Sequence, residues 1–168
     1  MDPRLEEPVF DPAVERALDQ LEEGMRRVAG ERGIRTPRRR LARERWGGPE
    51  MVHGWTAMEG TRRIHRHVTA RFLDGDRMRV GIGANARVST PWRVRWQSVG
   101  EEELALPLDG EELVAALRDR YARVCALRSG DLSREHRYSP AEWLAADNVV
   151  AGAVTIAALL GLYALLTD

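Results

Sequence analysis

Residues 70–82 read ARFLDGDRMRVGI. Ala70 and Phe72 alternate with Arg71, Asp74-Gly75-Asp76 supplies a turn, and Met78, Val80 and Ile82 then alternate with Arg77, Arg79 and Gly81. A period of two on both sides of an Asp-Gly turn is the signature of a β-hairpin, so an antiparallel sheet is expected at the centre of the chain. The first strand is ambiguous by itself, because Ile64, Val68 and Phe72 would also line one face of a helix.

Downstream, Gly83 to Thr90 is expected to contain a turn. Trp92, Val94 and Trp96 then alternate with Arg93 and Arg95, which separates tryptophans and arginines onto opposite faces of a strand. That separation favours a half-buried structural strand over a platform on which bases stack. Leu104, Leu106 and Leu108 suggest a further short strand after Glu101-Glu102-Glu103, closing a meander of three to four strands. The segment Glu50 to Gly60 has no clear period, and Ser129 to Arg137 reads as a polar linker.

Helices flank this sheet. Asp11-Pro12 is an N-cap followed by a first-turn proline, and Val14, Ala17, Leu18, Leu21, Met25 and Val28 recur at helical spacing over about residues 12–29. Asp109 caps a second helix, with Glu112 at the capping-box position and Leu113, Ala116, Leu117, Tyr121, Val124 and Cys125 as its buried stripe. Thr36-Pro37 is expected to open a short helix reaching Trp46. The expected fold is therefore α+β: a small antiparallel sheet flanked by amphipathic helices, followed by a single C-terminal transmembrane helix.

That last element is VVAGAVTIAALLGLYALL, residues 149–166, which contains no charge and shows no polar face. As a helix it spans roughly 27 Å, enough to cross a hydrocarbon core of about 30 Å with little tilt. Ser139-Pro140-Ala141-Glu142 is a helix-start signal, and Trp143 stands where interfacial aromatics gather. Ala153, Ala157 and Gly161 recur every four residues, a small-residue stripe that lets another membrane helix approach closely. The first ten residues, MDPRLEEPVF, do not read as a secretory signal, so insertion is expected to use residues 149–166. Arg128, Arg134 and Arg137 precede the run and nothing basic follows it, which places the preceding domain in the cytoplasm. The expected layout is a single-pass, tail-anchored protein, with a domain over 1–138 and a C-terminal helix over 139–168.

Charge is segregated along the chain. All 26 basic residues are arginine, against 26 acids. Residues 1–34 hold 5 Arg and 9 acids (−4), residues 35–95 hold 15 and 5 (+10), and residues 96–168 hold 6 and 12 (−6). The densest cluster, Arg35, Arg38, Arg39, Arg40, Arg43 and Arg45, is a candidate contact for anionic lipid or an acidic partner, since a basic segment near an anionic surface gains on the order of 1 kcal/mol per charge. Nucleic acid is a less favoured partner, because no recognition motif surrounds the cluster.

Motifs for chemistry are sparse. His65 and His67 would share a face of a strand, as two metal ligands must, with His53 or Glu59 as the only nearby completions. Gly81-Ile82-Gly83 is a GxG without the third glycine or the following helix of a dinucleotide site, and a bulge or turn is the better reading. Cys125 falls within a helix stripe, and as the single cysteine it excludes an internal disulfide. No catalytic residue, metal site or cofactor is assigned. The expected function is that of a non-enzymatic accessory or scaffolding subunit of a membrane complex, partnered by membrane lipid and by an integral membrane protein or a second copy. A membrane-tethered nucleic-acid binder and a membrane-tethered enzyme with a His65/His67 site are the alternatives.

Overall fold

The computed structural model describes residues 11–35, 41–42, 49–73, 79–90 and 92–139. Helix α1 (Pro12–Glu31) begins where the Asp11 carboxylate accepts the Ala13 N–H at 2.8 Å, and it buries the spaced set expected, Val14, Ala17, Leu18, Leu21, Met25 and Val28, together with Gly24 and Ala29. It runs past Gly30, and Gly33, at φ 64°, ends the following turn in the left-handed region that suits glycine.

Six strands follow the order β1-β2-β3-β4-β5-β6, all antiparallel: β1 (Leu41–Ala42), β2 (Glu50–Glu59), β3 (Arg62–Phe72), β4 (Arg79–Thr90), β5 (Arg93–Ala105) and β6 (Arg134–Arg137). Helix α2 (Gly110–Ala126) stands between β5 and β6, and the Asp109 carboxylate accepts the N–H groups of Glu111 and Glu112 at 2.9 Å. The α+β class and both helix starts agree with the sequence reading.

The sheet is larger than the three to four strands expected. Glu50–Glu59 is a full strand although its sequence is aperiodic, because Met51, His53, Trp55 and Ala57 face the helices while Val52, Gly54, Thr56 and Met58 face away, mixing polar and apolar on both sides. β3 is a strand, not a helix, and pairs Phe72 with Val80 across the expected hairpin; its turn, residues 74–78, lies outside the described residues. No turn interrupts Gly83 to Thr90, since β4 continues to Thr90. β5 likewise continues through Glu101-Glu102-Glu103 and ends at Ala105, before Leu106 and Leu108. The expected linker contains a 3-10 turn at Ser129–Asp131 and the edge strand β6, whose four residues are all exposed and so carry no apolar alternation. Of the short helix expected from Thr36, only Leu41 and Ala42 are described, and they pair with Met51 and Glu50 as a strand.

Both helices lie on one face of the sheet. α1 and α2 approach closely at Gly24, where a Cβ would stand 2.8 Å from Leu117 Cδ1. Beneath them Ile64, Val68, Val80, Ile82 and Leu104 are buried. One arginine joins this core: Arg66 donates through Nε to the Val124 carbonyl (3.0 Å) and through Nη2 to those of Cys125 (3.4 Å) and Leu127 (3.0 Å). These are the acceptors that the end of α2 leaves without intrahelical partners, so a strand side chain caps the helix. Among the described residues no helix is long and apolar enough to cross a membrane; residues 149–166 lie outside them.

Candidate functional site

The second face of the sheet carries no helix among the described residues. On β3 the alternation is strict: Ile64, Arg66, Val68, Ala70 and Phe72 are buried under the helices, whereas His65, His67, Thr69 and Arg71 lie on the other side and remain partly or fully exposed. On β5 the alternation changes phase. Gly83 pairs with Glu101 and Asn85 with Ser98, so β5 holds one extra residue there, and Gly100 takes up the bulge at φ 42°. Glu102 and Leu104 therefore face the helices, and beyond the bulge Ser98, Trp96 and Val94 fall on the uncovered face.

The bulge assembles a row that the sequence did not reveal. Thr56, His65, Arg87, Trp96 and Arg134 stand abreast on five consecutive strands. Tryptophan and arginine separate along β5, as expected, yet they interleave across strands, with Arg87 and Arg134 on either side of half-buried Trp96. Arg93 and Arg95, by contrast, lie on the helix-bearing side, where Arg95 Nη2 donates to the Leu132 carbonyl at 2.6 Å. Among the described residues Arg63, Arg87 and Arg134 form no ion pair, while Arg71 and Arg79 are neutralised by Glu101 (2.7 Å) and Glu103 (3.2 Å). The uncovered face thus combines an aromatic with free positive charge.

Glycine shapes this surface. Glu101, held by Arg71 through two hydrogen bonds, occupies the space above Gly81, where a Cβ would overlap its carboxylate. The GxG is accordingly a strand segment that makes room for an ion pair. The ring of His67 lies over Gly54, with Nδ1 3.1 Å from the position of a Cβ.

His65 and His67 do share a face. The Thr56 hydroxyl lies 3.1 Å from His65 Nδ1, and burial followed by the Arg87 charge holds the His67 pKa below its ordinary value. The residues that would complete a metal site are on the opposite face: Glu59 accepts the Ser129 N–H at 2.9 Å, and His53 is buried beside Tyr121. Among the described residues no three His, Cys, Asp or Glu are grouped to hold a metal.

His53 instead fastens the start of the arginine cluster. A carbonyl can only accept, so the 3.0 Å contact to the Arg35 carbonyl requires a proton on Nε2, and Nδ1 of the neutral ring then accepts the Tyr121 hydroxyl at 2.5 Å. Burial holds His53 toward this neutral form and raises the Tyr121 pKa. Trp55 stacks on Tyr121 with ring centroids 5.4 Å apart. The Arg35 carbonyl is thus held at a fixed point, and Leu41–Ala42 pairs along the edge of β2. Arg38, Arg39, Arg40, Arg43 and Arg45 lie outside the described residues, as do Trp143, Ala153, Ala157 and Gly161. Cys125 is half-buried, and burial raises its thiol pKa. No protein-family model, curated protein or solved structure matches the chain.

Proposed function

We propose that the chain is a membrane-anchored, non-catalytic accessory or scaffolding subunit. Residues 149–166 hold it in a membrane with the preceding domain on the cytoplasmic side, packing through Ala153, Ala157 and Gly161 against a partner helix. The arginine segment from Arg35 to Arg45 meets anionic headgroups or an acidic partner. The observation that carries the reading is the uncovered sheet face, on which Trp96 stands between two arginines free of ion pairs. Tryptophan and arginine are the side chains enriched where one protein surface docks on another. The test is co-purification from membranes in mild detergent. Changing Ala153, Ala157 and Gly161 to Leu, or Arg87 and Arg134 to Glu, is expected to release partners while the chain stays in the membrane; unchanged co-purification of both variants contradicts the reading.

A second reading draws on the same row. Aromatic and cationic side chains interleaved across strands also suit a single-stranded nucleic acid, whose bases stack while its phosphates are neutralised. Retention of DNA or RNA that falls steeply with salt, and that Trp96→Ala weakens, is the outcome that favours it.

A further inference from the structure

We infer that the end of the sheet bearing Met58 and Trp92 rests on the anionic headgroup layer of the membrane. β2 stops at Glu59 and β3 starts at Arg62; β4 stops at Thr90 and β5 starts at Arg93; β6, paired Arg137 to Arg93, stops at Arg137. In an antiparallel sheet these two turns and the end of β6 lie together. Among the described residues the large hydrophobic side chains left exposed are Met58 (63%) and Trp92 (57%), and both are at this end, on different hairpins. Single exposed hydrophobics are ordinary on a protein surface, but these two coincide with the point where the chain leaves for its apolar run.

The exit is fastened there. The Tyr138 N–H donates to the Trp92 carbonyl at 3.0 Å, and Val149 follows Ser139 by ten residues. Ten residues reach about 15 Å as a helix and at most about 35 Å when extended, and they start from this end of the sheet.

Charge agrees with the placement. The Ser129 N–H reaches Glu59, which brings the turn containing Arg128 to the same end. There Arg62, Arg63, Arg93, Arg128 and Arg137 outnumber Glu59, Asp131 and Glu135. Among the described residues of the opposite end Glu101, Glu102, Glu103, Asp109, Glu111 and Glu112 outnumber Arg71, Arg79 and Arg120, the last paired with Glu102 at 2.9 Å. The described strands are thus polar in charge, with the basic, Trp-bearing end at the start of the tether. Arginine beside tryptophan suits an anionic bilayer interface, and zwitterionic lipid, whose phosphate is balanced by its own cation, offers the arginines no net counter-charge. On this placement the sheet stands end-on, its uncovered face stays free for a protein partner, and the arginine segment, whose Leu41 and Ala42 pair with Met51 and Glu50 at the far end, is left to an acidic partner and not to headgroups.

The inference rests on the reading of residues 149–166 as an anchor, and its test separates the two. The full-length chain with Cys125→Ser receives one cysteine at a time, Met58→Cys, Trp92→Cys, Glu103→Cys or Ala157→Cys. Each is labelled with a small environment-sensitive fluorophore in vesicles containing phosphatidylglycerol and a lipid-borne quencher. Labels at 58 and 92 are expected to lose at least about twofold in emission, that at 157 to be quenched by deep-lying quencher, and that at 103 to stay bright. If 157 is quenched while 58 and 92 behave like 103, the anchor stands and the inference is overturned. If 157 is not quenched, the anchor reading fails and the inference falls with it. Shielding of 58 and 92 from aqueous quencher without lipid quenching means that protein covers this end, which also overturns it. Equal quenching in phosphatidylcholine vesicles, or no loss on Arg62→Glu with Arg63→Glu, refutes the anionic requirement.

Discussion

Replacing Tyr121 with Phe isolates the bond that fixes the start of the arginine segment. The phenyl ring can keep its place against Trp55 and His53, whose centroids lie 5.4 and 5.7 Å from that of Tyr121, so packing is largely preserved. What is lost is the hydroxyl that donates to His53 Nδ1 at 2.5 Å, in a residue that is 0% exposed. The partner nitrogen is then buried without a donor, and leaving a buried acceptor unpaired costs about 1–3 kcal/mol. For a domain of this size each kcal/mol lowers the melting temperature by roughly 3–5 °C, so a fall of roughly 3–15 °C is expected. The assay is thermal unfolding of the full-length chain in mild detergent at pH 7.5, followed by tryptophan emission. Tyr121→Leu, which also removes the ring, is expected to lose more. A Tyr121→Phe variant melting with the parent refutes the claim that this hydroxyl satisfies His53 and, through it, positions Arg35.

Acid is expected to weaken the fold from about the ordinary histidine range downward. Burial keeps the pKa values of His53 and His67 below 6.5, so as pH falls the unfolded chain takes up protons that the folded chain still refuses. Stability therefore falls as pH drops through about 6.5, and a melting temperature constant between pH 7.5 and 5.5 contradicts this. Glu31 and Glu135, held low mainly by hydrogen bonds from Arg118 and Arg137, and Glu59, held low by Ser129, act at lower pH; their contribution is present above 4.5 and lost below it. Arg66→Met should cost about 2–4 kcal/mol in denaturant unfolding, because two 3.0 Å charge-assisted bonds at the end of α2 disappear; a neutral outcome would show that relief of arginine desolvation balances them. In α1, Gly24→Val should destabilise by about 1–3 kcal/mol through collision with Leu117, whereas Gly30→Ala, with open space at its Cβ, should stabilise by up to about 1 kcal/mol; the same unfolding assay tests both signs.

The parts of the fold legible in sequence are those whose signal is local. Asp11-Pro12 and Asp109 announce helices because a cap and a stripe of apolar residues act within a few turns. The hairpin around Asp74-Gly75-Asp76 is legible for the same reason. β2 is not, because its uncovered side needs no apolar residue and Gly54 and Thr56 blur its period. β6 escapes because an exposed edge strand is specified by its partner, Trp96 to Arg93, and not by its own pattern. Arg66 and Arg95 carry no local sign of their partners, since each faces the helix-bearing side, where carbonyls distant in sequence accept its hydrogen bonds. The row from Thr56 to Arg134 depends on four registers and on the bulge at Gly100, none of which a strand-by-strand reading contains. A glycine after Val99 was the one local trace of that bulge.

The most direct measurement is alkaline carbonate washing of membranes bearing either the full-length chain or a version ending at Asp147. Only the full-length chain is expected to resist the wash and, solubilised in mild detergent, to bring partner proteins with it. Release of the full-length chain by carbonate contradicts the anchor; resistance to the wash without any stoichiometric companion contradicts the accessory role.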